Sequence, residues 1–571
     1  MTSTITPQKR LREYPNNFLS INSKNELFCD ACKKSIDFKK KSSVVQHLET
    51  EIHTSNSKKL KTVPNINFNT DEIQDNFKND LIIWLSASNV PFDKLNKKTF
   101  TSFLNNYLRP DFKIPSSATL RRSFPNLYKS KIDELKDYFS KSKVSVMCDE
   151  TTDSKSRYVF QIIFIKLDIL KENCPKLVDT IFLDEVNYET VSRSIINTLV
   201  QMKIDFSDVL FFVTDNASYM KKAYDTVLKP VIFKSIHITC FAHIIALVGE
   251  TWRAYLSEID SVIANLKTIF SKSPHRKKRF LEFQSENNIA KPKNFPDPVI
   301  TRWNSWFNSL KFVDENFEII KNFVQLELNI DETLCRLVVL FQKESLKDEI
   351  KLVGSKCDRF QKTIILFEER NLKPTVVYNT ISDLYFWFSE NIDNLKNSQI
   401  LEDNFLTGLF TPAQNKLKKY FIDGKQPGMA FFKMIKIFDP YQILNLSNDL
   451  YDFDLPKQMY DLLIEEWPIY KNICIQLKPI EDDFCLEKWW ISHRSRLPNF
   501  FEQARWILRA PCSSADSERA FSKYNLILSD SRQSMSEETI KMHNFFYFNF
   551  RQHLFMNEDD EELDGIIPLS D

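Results

Sequence analysis

Residues 143–241 constrain the fold most, because short apolar runs alternate there with helical patterns. Five runs rich in Ile, Val and Phe are strand candidates, at residues 144–148, 158–167, 177–186, 209–214 and 235–241, and helical patterns lie at residues 190–202 and 217–228. Three strands, a helix, a strand, a helix and a strand predict a mixed sheet. In such a sheet the ends of the first and fourth strands lie side by side. We therefore expect Asp149 and Asp215, which follow those two strands, to be neighbours.

The length of 571 residues predicts three or more domains. No run of about 18 apolar residues predicts a membrane span, and the polar, basic residues 1–14 do not resemble a secretory signal. Ten cysteines, most of them isolated among apolar residues, suit a reducing compartment. With only six glycines, the chain offers no glycine-rich phosphate loop, so no nucleotide cofactor is expected.

The N-terminal segment carries cysteine and histidine at metal-ligand spacing. Cys29, Cys32, His47 and His53 form a C-x2-C-x14-H-x5-H pattern, and two thiolates with two imidazoles suit tetrahedral Zn²⁺. A Cys-Cys knuckle followed by one helix with both histidines would close the site. The alternative is that these residues fall by chance in a disordered basic arm. Residues 1–65 hold twelve Lys/Arg against six Asp/Glu, a balance that suits binding to DNA phosphates.

Most of the remaining sequence shows helical periodicity. Apolar residues recur at intervals of three and four between Phe77 and Leu108, after a polar linker at about residues 54–69. Almost two hundred residues between Trp303 and Trp489 are also largely helical by pattern, for example at residues 334–341, 376–392 and 430–437. A segment this long is not expected to be a loop.

The most specific motif lies near the C-terminus, where residues 511–522 read Pro-Cys-Ser-Ser-Ala-Asp-Ser-Glu-Arg-Ala-Phe-Ser, after Trp489-Trp490 and before Ser529-Asp530-Ser531-Arg532. This block resembles the C-terminal assembly region of hAT-family transposases, in which the glutamate of a Ser-Glu-Arg-x-Phe-Ser run is the third metal-binding carboxylate. Residues 28–59 likewise resemble the BED-type finger of hAT proteins and, more closely, the finger of the CGG-repeat-binding protein. The resemblance spans about residues 28–550.

This resemblance implies a fold of the α/β plus all-α class: a ribonuclease-H-like mixed sheet split by a large helical insertion, with a small N-terminal zinc finger. The expected domains are residues 1–65 (finger and basic arm), 66–142 (helical), 143–300 (first part of the core), 301–485 (helical insertion), 486–552 (last core helix and dimerisation region) and 553–571 (acidic tail).

The expected catalytic residues are Asp149, Asp215 and Glu518, holding Mg²⁺ or Mn²⁺. Two divalent ions about 3.5–4 Å apart can hold an attacking oxygen and offset charge on the leaving one, and magnesium prefers such hard oxygen ligands. Each carboxylate has an alternative. Glu150 or Asp153 could replace Asp149, Asp215 could merely cap the following helix, and Glu518 could be an ordinary exposed residue.

Two further motifs match the family. Cys240-Phe241-Ala242-His243 matches its Cys-x-x-His signature, although no second ligand pair follows, so no metal is assigned there. Residues 301–305 match its Arg-Trp signature. The resemblance implies that His243, Arg302 and Trp303 contact DNA, with Trp303 stacking on a flipped base; the alternative is a core tryptophan. The basic run at residues 275–279 predicts phosphate binding, nuclear import or a solvated helix face.

Two classes of function stay open. One is a DNA transposase that cuts and joins strands; the other is a domesticated, catalytically silent DNA-binding regulator. The departures from the family pattern after Asp149 and after His243 bear on cleavage more than on fold. Either class predicts a nuclear protein that binds DNA and self-associates. The resemblance assigns assembly to an apolar face around Phe521, Leu526, Ile540, Phe545 and Phe546.

Overall fold

The structure is a computed structural model that describes part of the chain in detail. It covers residues 5–15, 17–22, 25–61, 70–108, 113–172, 174–271, 273–298, 303–327, 331–370, 372–396, 402–423, 426, 428–443, 449–477, 484–528, 532 and 534–554. The chain divides into two compact units, Met1–Ile82 with Asp93–Leu120, and Ile83–Phe92 with Arg121–Asp571. Among the helices of the described residues, none has the length and apolar character needed to cross a membrane.

The first unit begins with a small metal-ligand module. Its elements are α1 (Pro7–Glu13), β1 (Leu19–Ile21), β2 (Leu27–Cys29), β3 (Lys34–Ile36), α2 (Lys41–Leu48) and α3 (Glu51–Lys61). The three strands form an antiparallel sheet in chain order. The prediction of one helix carrying both histidines is wrong, because the chain leaves helical structure at Glu49 and His47 and His53 lie on separate helices. Helix α3 also continues into the segment predicted as a linker.

The next helices follow the predicted apolar periodicity. They are α4 (Thr70–Ala87), a 3₁₀ turn (Phe92–Asn96), α5 (Lys98–Tyr107) and α6 (Ser117–Phe139). No residue of α5 is buried.

The second unit contains a five-stranded mixed sheet. Its strands are β4 (Val144–Thr152), β5 (Tyr158–Lys166), β6 (Lys176–Leu183), β7 (Val209–Thr214) and β8 (Ile236–Thr239). The order across the sheet is β6-β5-β4-β7-β8. Strands β6, β5 and β4 pair antiparallel, whereas β4, β7 and β8 pair parallel. The crossovers contain α7 (Tyr188–Gln201), then α8 (Ser218–Ala223), a π-helical turn (Tyr224–Leu228) and α9 (Lys229–Val231), with a 3₁₀ turn (Phe206–Asp208) before β7. The predicted mixed sheet is confirmed.

The central strand β4 is longer than its apolar run predicts. The run ends at Cys148, but β4 continues to Thr152 because residues 149–152 pair with residues 158–161 of β5. A tight turn follows, in which the Asp153 carboxylate accepts hydrogen bonds from the backbone N–H groups of Lys155 (2.9 Å) and Arg157 (3.0 Å). The side chain of Asp153 therefore stabilises the turn that joins β4 to β5.

The rest of the second unit is helical. The helices are α10 (Phe241–Tyr255), α11 (Ser257–Ser271), α12 (Pro274–Glu286), α13 (Trp303–Glu315), α14 (Phe317–Leu326), α15 (Glu332–Phe341), α16 (Glu344–Glu368), α17 (Val377–Lys396), α18 (Glu402–Phe421), α19 (Met429–Met434), α20 (Pro440–Ile443), α21 (Lys457–Leu463), α22 (Trp467–Ile475), α23 (Leu486–His493), α24 (Pro498–Ile507), α25 (Ala515–Ile527) and α26 (Glu537–Leu554). Short 3₁₀ turns lie at Pro374–Val376, Ile435–Phe438 and Leu450–Phe453. One continuous apolar core joins many of these helices to the sheet.

Polar clamps fasten the C-terminal helices to the sheet. Arg505 of α24 donates two hydrogen bonds to the Asp168 carboxylate just after β5, at 2.8 and 2.7 Å. The Asn549 side chain of α26 accepts from the backbone N–H of Leu177 and donates to its carbonyl, both at 2.9 Å. These hydrogen bonds therefore hold together segments that lie more than three hundred residues apart in sequence.

The Asp153 carboxylate also joins the hairpin to α25. Its side chain has no exposed surface and pairs with Arg157 at 2.7 Å, and it accepts a hydrogen bond from the Tyr524 hydroxyl at 2.9 Å. Burial alone would raise the pKa of Asp153, but the bonds from Arg157 and Tyr524 outweigh it and hold the pKa below its usual value.

Replacing this buried anion should weaken the fold. We expect Asp153→Asn to lower the free energy of unfolding by about 3 kcal/mol, since Arg157 would be left without its charge partner. Because the folded pKa is depressed, the stabilisation is present above the usual value of 3.8 and is lost as the pH falls below it. Denaturant titrations at several pH values check this. Asp133→Asn on the exposed face of α6 is the control and should change stability by less than about 0.5 kcal/mol; an equally small change for Asp153→Asn would contradict the prediction.

Candidate functional site

The N-terminal module brings all four predicted metal ligands together. Their ligand atoms lie within 4.8 Å of one another, and no other His, Cys, Asp or Glu group in the described ranges meets that spacing with three or more members. The Nδ1 atom of His53 lies 3.4 Å from Cys29 Sγ and 3.6 Å from Cys32 Sγ. This arrangement could hold a metal ion.

The immediate surroundings of these side chains fit such a role. The buried Nε2 atom of His47 has no hydrogen-bond partner among the described residues, as expected of a ligand atom. His53 turns Nδ1 toward the thiols because its Nε2 lies 3.1 Å from the Ser57 hydroxyl. Burial lowers the pKa of both imidazoles, helped at His47 by His53 and Lys34, so both are neutral and able to ligate near pH 7.

The lysines around this module face solvent. Lys33, Lys34, Lys39, Lys40 and Lys41 are all exposed. Exposed ammonium groups can contact phosphates without reading sequence.

In the second unit, Asp149 and Asp215 lie at one end of the parallel strand pair. Met147 of β4 pairs with Val213 of β7, and the same register, continued by two residues, places position 149 beside position 215. The ladder between β4 and β7 ends at the Met147–Val213 pair, two residues before the aspartates. Both side chains are partly buried.

Glu518 reaches the same region from α25, where it lies exposed in the first turn of the helix. The loop before α25 is fixed to the start of α10, since the backbone N–H of Phe241 donates to the Cys512 carbonyl at 3.0 Å. Asp516 is held between Arg370 (3.0 Å) and Arg519 (2.9 Å). These contacts set the direction in which Glu518 points.

Asp215 and Glu518 both act on Asp149 electrostatically. The pKa of Asp149 is raised well above its usual range, first by burial and then by the charges of Asp215, Glu150 and Glu518. Burial also raises the pKa of Asp215, against the opposing effects of the Ala217 N–H and His243. Like charges concentrated in this way favour protonation or a bound cation.

The alternatives that the sequence left open for Asp149 and Asp215 differ in their hydrogen bonds and orientation. Asp153 is already paired with Arg157 and Tyr524, so it is not free to ligate a metal. Asp215 does not cap the following helix, whose N-cap is Ala217 without a side-chain hydrogen bond; the Asp215 Oδ1 atom accepts from the Ala217 N–H at 3.0 Å in the turn before the helix. Glu150 is half-buried beside Tyr219 and faces the opposite side of the strand from Asp149.

Of the predicted DNA contacts, His243 is described in full. It is exposed in the first turn of α10 and lies close enough to Asp215 to affect its pKa. Its backbone N–H donates to Cys240 Sγ, which caps the helix. Arg302 lies outside the described residues, as do residues 555–571 with the acidic tail, and Trp303 is described only as the first residue of α13.

The basic run at residues 275–279 is largely engaged in ion pairs. Arg276 and Arg279 both contact Glu327, and Lys277 lies 3.7 Å from Asp297. The run is thus a charged helix face whose charge is mostly offset.

The apolar face expected to join two subunits is largely interior to one chain. Four of its members are buried, with exposed fractions of 8% for Phe521, 1% for Ile540, 3% for Phe545 and none for Phe546. Phe521 packs on Val159 of β5, and Phe546 stacks on Phe124. The expectation that this face mediates assembly stays a prediction, since within one chain these four side chains lie in the interior.

Sequence reasoning missed the residues that position α25. Arg370, Arg157 and Tyr524 were assigned no role, and their partners lie far away in sequence or in a turn that no apolar pattern marks. Arg519, in the Ser-Glu-Arg motif, was the one available signal, since an arginine one turn from Asp516 suggests a local ion pair.

Comparison with known proteins gives two regional matches. Residues 1–59 match the CGGBP1 N-terminal domain, and residues 460–550 match the hAT family C-terminal dimerisation region. The second region includes α25 and α26.

Two maize proteins are similar over longer stretches. A putative AC transposase from Zea mays is 21% identical over 524 residues, covering 79% of this chain and 62% of that protein. A putative AC9 transposase from Zea mays is 25% identical over 235 residues, covering 39% of this chain and 28% of that protein. The chain thus spans less than two thirds of the length of either relative. With both regional matches agreeing with the motifs, the resemblance predicted from residues 511–522 is confirmed: the chain is a relative of the hAT-family transposases.

Proposed function

We propose that this protein is a hAT-type DNA transposase or a transposase-derived protein, which binds DNA and cuts and joins strands with a metal-dependent Asp-Asp-Glu site. The proposal is supported by the strand register that leads to Asp149 and Asp215 and by the charges of Asp215 and Glu518 that act on Asp149. The strand order β6-β5-β4-β7-β8 supports a ribonuclease-H-like core, and the helices between β8 and α25 support the helical insertion.

The donor set suits Mg²⁺ or Mn²⁺. All three side chains offer hard oxygen atoms, and the repulsion that raises the pKa of Asp149 would be relieved by a cation. Their oxygens do not all lie within 4.8 Å of one another, so a bound cation would have to draw them together or be one of two ions about 3.5–4 Å apart that share them. Such ions, when bound, would activate the attacking oxygen and offset charge on the leaving one.

Each residue of the candidate site has its own expected role. Both Asp215 and Glu518 act on Asp149 electrostatically, so Asp149 is the carboxylate suited to contact both ions. The exposed imidazole of His243 beside Asp215 is placed to contact a DNA phosphate. Arg302 and Trp303 stay predictions as DNA contacts. The nucleus is the proposed location, since the DNA substrate lies there; a fluorescent fusion excluded from nuclei would contradict it.

In the N-terminal module we propose a structural Zn²⁺ bound by Cys29, Cys32, His47 and His53, supporting a DNA-binding finger. Among the described residues of the module only four, including Cys29 itself, form the buried apolar cluster, so a metal ion would have to supply much of its folding free energy. Self-association through residues 460–550 is proposed from the dimerisation-region match.

Glu518→Gln tests the catalytic proposal. The change removes one charge but preserves shape, so the purified protein should lose cleavage of its element ends by at least about two orders of magnitude while DNA affinity and assembly stay unchanged. Plasmid nicking in Mg²⁺ or Mn²⁺ measures the rate. Glu538→Gln, at an exposed first-turn glutamate of α26, is the matched control and should cleave normally.

Two outcomes would contradict this proposal in different ways. If Glu518→Gln cleaves like the wild type, Glu518 is not a metal ligand. If the wild type binds the DNA but never nicks it, the protein is better explained as a domesticated regulator.

Cys29→Ser tests the zinc proposal. Loss of one thiolate should reduce bound zinc from one ion per chain to none, disorder residues 28–53 and weaken DNA binding, while the second unit unfolds at its usual temperature. Metal analysis of the full chain, with the exposed Cys335→Ser as control, checks this. A full complement of zinc in Cys29→Ser would rule the site out.

Ser57→Ala tests the hydrogen bond that orients His53. Removing an outer partner of a ligating histidine should weaken zinc affinity about tenfold without abolishing binding. Competition with a chromogenic chelator measures the affinity. An unchanged value would show that Ser57 does not position the ligand.

A further inference from the structure

A buried glutamine lies directly beside Asp149. In the antiparallel ladder Asp149 pairs with Gln161 of β5, so both side chains are on the same face of the sheet with their Cβ atoms about 4.5–5.5 Å apart. Gln161 has no exposed surface, and neither atom of its amide has a hydrogen-bond partner among the described residues. A buried amide without hydrogen bonds costs free energy, so the presence of Gln161 at this position needs an explanation.

The polar character continues across the sheet from Gln161. On its other side Gln161 pairs with Thr180 of β6, which is also buried and on the same face. The Thr180 hydroxyl accepts a hydrogen bond from Asn544 of α26 at 3.0 Å, and the buried Oδ1 of Asn544 has no partner among the described residues. Asn544, Thr180, Gln161 and Asp149 thus form a polar row across three strands, ending at the proposed metal site.

A second unpartnered group, the Ser517 hydroxyl, belongs to helix α25, which packs on this face of the sheet. Along α25, Phe521 packs on Val159 of β5, and Ala515 lines a cavity with Ile165. Position 517 lies between these two anchor points on the helix, as position 161 does on the strand. The Ser517 hydroxyl is fully buried, has no partner in the described part of the chain, and directly precedes Glu518.

We propose that Gln161 is a positioning residue for the metal site, a role that rests on the proposed function. Its amide N–H donates to the Asp149 carboxylate, directly or through one water, and its carbonyl accepts from Thr180 or Ser517. The bond fixes the plane of the carboxylate, so its oxygens would be held in position to bind divalent cations. Gln161 contacts neither substrate nor metal; it acts through Asp149.

The neighbouring unpartnered groups do not fit this role as well. Ser145 is buried and unpartnered on the same face, but it lies four residues before Asp149 on β4 and pairs with Ile165. Its distance makes it a matched control. Glu150 is adjacent to Asp149 in sequence but points to the opposite face.

The experiment measures Mn²⁺ affinity of the full-length protein by calorimetry, together with thermal unfolding. Gln161→Met keeps the length and flexibility of the side chain but removes both polar atoms. We expect a 10–100-fold loss of Mn²⁺ affinity, as for other outer partners of metal ligands, with an unfolding temperature equal to or above that of the wild type. Asp149→Asn should abolish binding at the same concentrations, and Ser145→Ala should leave it unchanged.

The outcomes are separable. If Asp149→Asn loses Mn²⁺ but Gln161→Met binds within about twofold of the wild type, the positioning role is wrong and the proposed metal site stands. If Asp149→Asn also binds normally, the proposed site itself fails. Should Gln161→Met not fold, the double variant Thr180→Val/Ser517→Ala, which removes both hydroxyls that could hold the amide, should still cause a several-fold loss, and an unchanged affinity would overturn the inference. A crystal structure adds a test without metal, since a Gln161 amide turned away from Asp149 and bonded elsewhere would also overturn it.

Discussion

The docking of α25 on the central strands is the interaction on which the rest of the candidate site depends. Asp149 and Asp215 come together through local strand pairing, but the third carboxylate comes from a helix some three hundred residues further along the chain. That helix is held by apolar packing of Phe521 on Val159 and by the buried bond of Tyr524 to Asp153. The long helical region takes part as well, because Arg370 from the loop after α16 binds Asp516 in the first turn of α25.

The docking of α25 brings the negative charge of Glu518 near Asp149. The charged and hydrogen-bonding neighbours of each carboxylate then determine its pKa. Asp153 is neutralised by Arg157, so its pKa falls and it serves the fold. Asp149, only four residues away, has no cation among the causes that shift it and its pKa rises. A site assembled from repelling carboxylates would gain stability if a cation bound, whereas the Cys and His side chains of the N-terminal module suit a softer metal ion. The two candidate sites thus differ in the metal that their ligand types favour.

The sequence predicted the sheet and the places of Asp149 and Asp215 because buried parallel strands are nearly continuous apolar runs, as at Val209–Thr214. It could not predict that β4 continues to Thr152, since those residues are polar and are held by pairing with β5. The break between His47 and His53 was missed because Glu49 and Thr50 carry no strong helix-stopping signal. Partners such as Arg370 and Asn544 were missed because a long-range hydrogen bond leaves no periodic pattern.

The burial of the aromatic side chains of α25 and α26 bears on how the C-terminal region could join two copies of the chain. Helices α25 and α26 both lie on the sheet face that carries Asp149, and their large aromatic side chains fill the interior there. Opening that face to a partner would expose Phe546 and break the bonds of Asn544 and Asn549 to β6. A dimer in which each chain keeps this fold would therefore place other side chains at its interface, while the buried aromatic side chains hold α25 and α26 against the sheet.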